Sequence, residues 1–221
     1  MRNNHKKMYG LLLFIVTLMT SASNLWASGA DVNSVLIGNQ VWMQENLDVS
    51  HYRNGDPIRY AGSNKEWLDA ASKGEGAWCY EKYGRLYNWY AVNDPRGLAP
   101  TGWHVPSDQE WKTLTDVLGG EAAAGGKMKS TSSALWNTPN ISATNSSYFS
   151  ALPAGLRGDG GKVYFVGESA YYWSSSEATA KSAWYRVLNY HNASTVRSGE
   201  DKEDGMSVRC VKDLVVRCVK N

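Results

Sequence analysis

The chain has 221 residues, with 23 lysines and arginines against 21 aspartates and glutamates, and it holds 10 tryptophans and 13 tyrosines but only three phenylalanines. This length suits one well-buried domain. The balanced charge, without a cluster of lysines and arginines, excludes nucleic acid and anionic membrane surfaces as expected partners.

Residues 1–27 have the features of a secretory signal peptide: a basic start, the apolar run Leu11–Val16, and small residues before the end. The apolar run is too short for a membrane span, which needs about 20 residues. Removal of residues 1–27 takes away three basic residues and no acid, so 23 basic residues become 20, against 21 acidic ones. We therefore expect an exported protein without a membrane span, in the periplasm, at the cell surface or outside the cell.

The segment that follows begins with a predicted β-hairpin. Val35–Ile37 and Gln40–Met43 are apolar runs that flank Gly38-Asn39, a pair that favours a tight turn. Residues 50–76 are polar and rich in turn formers, which predicts a long loop with room for one short helix.

Two helices are predicted around a link rich in proline and glycine. Apolar positions three, four and seven residues apart predict a helix over Tyr83–Tyr90. Ser107 and Glu110 form a capping-box pattern, which predicts that a second helix begins at Ser107. Gly119-Gly120 ends this helix, and residues 121–129 predict another short one.

The remainder of the chain changes from loop to strand. Residues 130–161 are dominated by turn formers. Beyond them, β-branched and aromatic runs predict strands, including Ala183–Tyr190 and Met206–Val211. The sequence therefore predicts an α+β domain with small sheets, two main helices and long loops.

Eight sequence blocks in a fixed order resemble the Fibrobacter succinogenes major paralogous domain, a family of extracytoplasmic bacterial domains. They span residues 35–213 and read IGNQVWMQENL, YGRLYNWYAV, GWHVPSDQEW, LGGEAAAGGKMK, WNTPNISATN, FSALPAG, YYWSSSE and GMSVRCVKD. The resemblance extends more distantly to the formylglycine-generating enzyme group and implies a C-type-lectin-like fold whose two ends lie side by side. The family has no agreed activity, so function must be argued from individual residues.

The last eight residues, 214–221, repeat the end of the domain. Val208–Lys212 recurs as Val216–Lys220, so the second copy is expected to lie outside the fold as a short duplicated tail. The repeat also adds a third cysteine, Cys218.

The cysteines are compatible with export and with a disulfide. Many family members carry a further cysteine just before the PTGWHVP block, where this chain has Ala99. This departure leaves Cys79 as the upstream partner for Cys210, and oxidising compartments favour such a bridge. The alternative is a pair of buried free thiols. Cys218 would then be free or would link two chains as a disulfide-bonded dimer.

No catalytic set is recognisable in the sequence. His104 is the histidine within the strongest block, but Ser107 beside it is better used as a helix cap, and Asp108 as a first-turn charge. We therefore expect His104 to be a structural, hydrogen-bonded residue. The resembled enzymes hold copper with a close pair of cysteines, and neither Cys210 nor Cys218 lies in that group's active-site motif.

No metal or cofactor site is expected either. The segment Trp136–Asn140 has the outline of a lectin calcium tripeptide, but Thr138 stands where a carboxylate or amide ligand is needed. Glu200–Asp204 is acidic but interrupted by Lys202, which favours a solvated hairpin tip.

Tryptophan and tyrosine combine an apolar face with a polar tip, as sugar-binding and protein-binding surfaces require. Six tryptophans lie on patterned elements and are assigned to the core: Trp42, Trp89, Trp103, Trp111, Trp173 and Trp184. The residues assigned to a ligand-binding surface are Trp136, Asn137, Asn140, Tyr148, Tyr171 and Tyr172.

These observations lead to one principal hypothesis and two alternatives. The principal hypothesis is an exported, non-catalytic recognition or adhesion domain whose partner is a glycan or a cell-surface protein. The first alternative is a degenerate relative of the formylglycine-generating oxidases that retains enzymatic activity. The second is a structural component of the cell envelope.

Overall fold

A computed structural model describes residues 32–213 of the protein as an α+β domain. The predicted signal peptide (1–27) and duplicated tail (214–221) lie outside the described residues. The helices are α1 (Asn64–Ser72), α2 (Trp89–Val92), α3 (Asp108–Val117) and α4 (Glu121–Met128). The strands are β1 (Ser34–Ile37), β2 (Gln40–Met43), β3 (Arg59–Tyr60), β4 (Ala77–Glu81), β5 (Gly84–Asn88), β6 (Trp103–His104), β7 (Leu156–Arg157), β8 (Val163–Tyr164), β9 (Ser169–Glu177), β10 (Ser182–Asn189), β11 (Thr195–Asp201), β12 (Gly205–Met206) and β13 (Val211–Lys212).

A four-stranded sheet with the order β1-β2-β13-β6 joins the two ends of the described chain. The predicted hairpin is confirmed, because β1 and β2 pair antiparallel around a turn where Gly38 has a φ of 61°. Strand β13 then pairs antiparallel with β2 through Val211 and Trp42. The ends therefore lie side by side, as the family resemblance implied.

Two further sheets carry the rest of the strands. One has six strands in the order β3-β4-β5-β12-β7-β8, and the other has three in the order β11-β10-β9. Side chains alternate between the two faces of each strand, so Tyr87 and Leu86 of β5 face opposite sides of the six-stranded sheet. Leu86 packs with Trp67 of α1, whereas Tyr87 packs with the central core cluster.

The predicted helix over Tyr83–Tyr90 is wrong. Gly84–Asn88 forms strand β5, and only Trp89–Val92 is helical. Residues of β5 pair antiparallel with β4, with Tyr87 opposite Trp78. The tyrosines and leucine have helical spacing, but they also supply the apolar surface that a buried strand needs, and pairing with β4 decides between the two.

The other two predicted helices are confirmed. Ser107 accepts a hydrogen bond from the backbone N–H of Glu110 at 3.3 Å, and the Glu110 carboxylate accepts one from the Ser107 backbone at 2.8 Å. This capping box satisfies two donors that would otherwise be unpaired at the start of α3. Residues 121–128 form α4, close to the predicted limits.

One cluster of the core is rich in aromatic rings that pack against one another. Trp42 and Trp111 lie with their ring centroids 4.9 Å apart, and Phe149 and Tyr172 pack edge to face at 5.6 Å. Of the tryptophans that the sequence assigned to the core, five are buried, and Trp184 is the exception. Trp184 is half-exposed, with the Arg197 guanidinium 3.3 Å from its ring centroid.

Long cationic side chains are buried within this core. The Lys129 ammonium donates to the backbone carbonyls of Ile141, Asn189 and Asn192 at 2.8–2.9 Å. Burial lowers the pKa of Lys129 to about 8. The ammonium therefore has three hydrogen-bond acceptors in place of a carboxylate partner.

Arg209 is the second fully buried cation of this kind. Its guanidinium donates to the carbonyls of Met43 and Phe149 and to the Asn46 side chain, and it lies 4.3 Å from the Phe149 ring centroid. Burial lowers the pKa of Arg209. Arg209 thereby ties the end of β2 to the long segment that precedes β7.

The acidic segment Glu200–Asp204 is not the solvated hairpin tip that was predicted. Lys202 and Asp204 are both buried, and the Lys202 ammonium donates to the Glu177 carboxylate at 2.6 Å and to the Ala180 carbonyl at 2.9 Å. The backbone N–H of Trp89 also donates to the Lys202 carbonyl. These contacts draw the turn between β11 and β12 into the core.

Loss of the cap on α3 gives a direct test of this assignment. We expect Ser107→Ala to lower the free energy of unfolding by about 1 kcal/mol, because the N–H of Glu110 loses its acceptor. Ser133→Ala is the control, because Ser133 is an exposed loop residue. Urea unfolding measures both variants, and equal midpoints for Ser107→Ala and the unsubstituted protein would contradict the cap.

Candidate functional site

Two of the predicted surface residues belong to the core instead. Trp136 is 3% exposed, and its indole N–H donates to the Ala151 carbonyl at 3.0 Å. Tyr172 is completely buried between Trp111 and Phe149. Their assignment to a binding surface is therefore wrong, because both rings pack among the buried residues of one core cluster.

The polar and aromatic residues near Trp136 do not form one surface. The backbone N–H of Asn137 donates to the Gly167 carbonyl at 2.7 Å, so Asn137 packs against the turn after β8. Asn140 is half-buried and donates to the Ser130 carbonyl. Tyr148 is 65% exposed but stands apart, with its carbonyl bound by the Gln44 side chain.

Tyr171 is the predicted residue that joins a larger group of aromatic rings. Its ring centroid is 6.2 Å from that of Phe165 and 5.8 Å from that of Tyr185, and Phe165 is 6.1 Å from Tyr164. We call Tyr164, Phe165, Tyr171 and Tyr185 the aromatic strip. It crosses from the edge of the six-stranded sheet to the three-stranded sheet.

Two members of the aromatic strip are exposed, whereas Tyr171 is half-buried and Tyr185 is buried. Phe165 is 49% exposed and Tyr164 is 45% exposed, and Val166 beside them is also exposed. Tyr164 ends β8, and Phe165 and Val166 follow it directly, so three consecutive large side chains face solvent. Contiguous exposed apolar patches often mark interaction sites. In the sequence, this exposed group is visible as Tyr164-Phe165-Val166, three large side chains in a row between Gly161 and Gly167. The strand prediction for this region did not identify these side chains as exposed.

The turn that contains Phe165 is supported by backbone contacts of Gly155 and Gly167. Gly155 packs so closely under it that a Cβ atom would lie 2.1 Å from the Tyr164 carbonyl oxygen. The backbone N–H of Gly167 donates to the Pro153 carbonyl, and the Gly167 carbonyl accepts from Asn137. Phe165 itself has a φ of 61°, a region that bulky residues rarely adopt. Such backbone geometry persists where surrounding contacts enforce it, often at binding sites.

The charged groups that act on Tyr171 and Tyr185 are carboxylates. Burial raises the pKa of Tyr171, and the Glu200 and Glu168 carboxylates raise it further. Burial and the Glu200 and Asp204 carboxylates likewise raise the pKa of Tyr185. Carboxylates are therefore among the groups that surround Tyr171 and Tyr185.

His104 is hydrogen-bonded through both ring nitrogens, as predicted. Its Nε2 lies 2.7 Å from a Glu110 oxygen, and its Nδ1 lies 2.7 Å from an Asp213 oxygen. Two carboxylate partners require both ring nitrogens to donate, which the protonated imidazolium does. Burial lowers the pKa of His104, but the hydrogen bonds to Glu110 and Asp213 outweigh it, so the pKa is raised overall. The ring ties α3 to the end of β13.

The hydrogen bonds of His104 with Glu110 and Asp213 give the free energy of unfolding a defined pH dependence. Because the pKa of His104 in the folded state lies above the ordinary 6.5, the protonated ring contributes its full stabilisation below pH 6.5 and loses it as pH rises through the folded-state pKa. We therefore expect His104→Gln to destabilise the protein more below pH 6.5 than at alkaline pH. Urea unfolding over a pH series measures this difference.

The control for this pH series is His191→Gln, because the His191 ring packs on Tyr190 rather than on a carboxylate. If His104→Gln lowers the free energy of unfolding by the same amount at every pH, the proposed role of the protonated His104 ring is contradicted.

The predicted bridge between Cys79 and Cys210 is not present. Both are free, buried cysteines. Cys79 pairs with Leu86 and faces α1, whereas Cys210 lies with Tyr87 in the central cluster. Since Leu86 and Tyr87 face opposite sides of the sheet, the two thiols are separated by it. The structure thus supports the alternative of two buried thiols, and Cys218 lies outside the described residues.

No group of three or more metal-ligating side chains occurs within residues 32–213. None of the helices in this range is long and apolar enough to cross a membrane. What the described chain does offer is an aromatic strip whose Tyr164 and Phe165 rings are exposed, on a domain in which His104 is hydrogen-bonded and Cys79 and Cys210 are buried.

Sequence comparison assigns this α+β domain to a family. The profile of the Fibrobacter succinogenes major domain matches residues 35–212. Because the match covers most of the chain, the protein belongs to this family. No curated protein matches the chain.

Proposed function

We propose that the protein is an exported, non-catalytic recognition domain that binds carbohydrate through the aromatic strip. The single observation that carries this proposal is the continuous arrangement of the exposed rings of Tyr164 and Phe165 with the half-buried ring of Tyr171. Tyrosine and phenylalanine rings offer flat apolar faces for the C–H face of a sugar ring, and the tyrosine hydroxyls offer hydrogen bonds at its rim.

The neighbours of the strip supply the polar contacts that fix the orientation of a sugar. Glu168 and Glu200 are partly exposed carboxylates that act electrostatically on Tyr171. The exposed side chain of Asn137 packs against the turn at Gly167. Carboxylates accept hydrogen bonds from sugar hydroxyls, and an amide both donates and accepts. Binding through these groups needs no calcium.

Export and a C-type-lectin-like fold are part of the same proposal. The signal-peptide pattern of residues 1–27 supports export. The pairing of β13 with β2, which brings both ends of the domain together, supports the lectin-like arrangement. A surface made of loops between short strands also suits recognition, since loops commonly carry binding residues.

The oxidase alternative receives less support. Metal-dependent or nucleophilic thiol chemistry requires an accessible thiolate. Cys210 is completely buried, and burial raises its pKa to about 12. A structural envelope component remains the second alternative, and it predicts no retention of soluble glycans.

A glycan array probed with the purified protein tests the proposal. We expect Phe165→Ala to weaken retention on the bound glycan by about 1 to 3 kcal/mol, the range for an aromatic anchor, because the substitution removes an exposed ring. Tyr148→Ala is the matched control, since Tyr148 is an exposed aromatic outside the strip. Both variants should melt as the unsubstituted protein does.

Three outcomes would count against the proposal. Equal losses for Phe165→Ala and Tyr148→Ala would show that the strip is not the binding surface. Loss of retention on chelation of calcium would contradict the metal-free contacts. Retention of a protein ligand without any glycan would favour the cell-surface protein as the partner.

A further inference from the structure

A second group of exposed aromatic rings lies at the other edge of the six-stranded sheet, away from β8. Tyr60 of β3 is opposite Trp78 of β4, and Tyr80 follows Trp78 by two residues, so the three side chains share one face of the sheet. Tyr60 is 56% exposed and Tyr80 is 60% exposed, whereas Trp78 is half-buried. Arg85 of β5 is opposite Tyr80 and completes the group. We call Tyr60, Trp78, Tyr80 and Arg85 the edge platform.

Contacts with the backbone and with a carboxylate fix the edge platform. The Trp78 indole N–H donates to the Ile58 carbonyl at 3.1 Å, and the Tyr60 ring centroid lies 4.8 Å from that of Trp78. The Arg85 guanidinium lies 4.2 Å from the Trp78 ring centroid and pairs with the Asp48 carboxylate. Trp78 is therefore an ordered support on which the neighbouring groups pack.

Gly62 leaves the space that the Tyr60 ring occupies. A Cβ atom at position 62 would lie 2.4 Å from the Tyr60 hydroxyl oxygen and 2.7 Å from the ring carbon that carries it. Gly62 is not among the glycines with positive φ, so an alanine there adopts the same backbone without strain. Alanine at position 62 would consequently displace the Tyr60 ring without removing any aromatic residue.

The chemistry of the edge platform matches a neutral sugar. Exposed tyrosine rings offer flat apolar faces together with hydroxyl groups. The charges of Arg85 and Asp48 balance, and the Asp48 side chain is 51% exposed, so this ion pair offers an accessible carboxylate acceptor beside guanidinium donors. Two tyrosines supply at most about 500 Å² of contact area, whereas a stable protein interface buries about 800 Å² on each partner. A small ligand with many hydroxyl groups therefore suits the platform better than a protein does.

We propose that the edge platform is a second carbohydrate-binding surface, which takes a neutral oligosaccharide whose pyranose rings stack on Tyr60 and Tyr80. The inference rests on the proposed function for the class of ligand, but it assigns different residues. Strands β3 and β8 are the two edges of the six-stranded sheet, so five strand spacings of about 4.8 Å place the platform and the aromatic strip about 24 Å apart. Two such surfaces on one domain raise the avidity for a long or clustered glycan.

Calorimetric titration of the purified protein with neutral trisaccharides tests this inference. The probes are the β-1,4-linked trisaccharides of glucose, mannose, xylose and N-acetylglucosamine, which are too short to reach both surfaces. We expect two molecules of at least one trisaccharide to bind each protein. Tyr80→Ala and Gly62→Ala should each weaken one of the two binding events about tenfold, the loss typical of an aromatic anchor, and Phe165→Ala should weaken the other.

Two control variants separate loss of the platform from general effects. Tyr148→Ala removes an exposed aromatic ring outside both surfaces. Gly160→Ala adds a Cβ atom where no atom of the described residues lies within 4 Å. Both controls should bind two trisaccharides and melt as the unsubstituted protein does. If Tyr80→Ala and Gly62→Ala bind as these controls do, the inference is overturned.

The pattern of losses distinguishes this inference from the proposed function. One bound trisaccharide that is lost in Phe165→Ala and kept in Tyr80→Ala would overturn the second surface and leave the aromatic strip standing. One bound trisaccharide that is lost in Tyr80→Ala and kept in Phe165→Ala would support the edge platform and contradict the strip. Binding of none of the four trisaccharides would contradict both.

Discussion

The structure depends on buried cations whose hydrogen bonds end on backbone carbonyls. Residues 130–155 contain no strand or helix, so their carbonyl groups lack the regular partners that sheets and helices provide. Lys129 and Arg209 supply the missing donors, and Phe149 packs against the Arg209 guanidinium. A long side chain with several N–H groups can satisfy carbonyls from different segments at once, which a shorter polar residue cannot do.

A further buried cation, Arg157, supports the aromatic strip in the same way. Arg157 of β7 donates to the Gly161 carbonyl at 3.0 Å and to the Ala61 carbonyl at 2.8 Å, with its guanidinium 4.7 Å from the Trp67 ring centroid. It therefore fixes the β7–β8 hairpin to the segment before α1. A binding surface gains affinity when it is ordered before the ligand arrives, because less conformational entropy is lost on binding. The rigid support beneath Phe165 thus links the packing of the core to the proposed function.

Short sequence patterns correctly predicted the elements whose formation depends on residues close together in the chain. The β1–β2 hairpin and the Ser107 cap follow from neighbouring residues, and both are present. The Tyr83–Tyr90 segment was misjudged because its pairing partner, β4, is a tertiary feature. For the candidate site, Tyr171 was identified but Trp136 was not placed correctly, since aromatic composition cannot distinguish a ring that fills the core from one that faces solvent. Phe165 escaped notice because its exposure depends on Gly155 and the hairpin beneath it, which no short sequence window contains.

The most direct test of the role of the buried cations is the free energy of unfolding of Arg209→Met, measured by urea titration. Methionine retains the apolar stem but leaves the carbonyls of Met43 and Phe149 without their donor. We predict a loss of about 3 kcal/mol or more, because each unsatisfied buried polar group costs about 1 to 3 kcal/mol. Lys112→Met, at an exposed cation, should change stability by less than about 0.5 kcal/mol. An Arg209→Met protein as stable as the unsubstituted one would contradict the account.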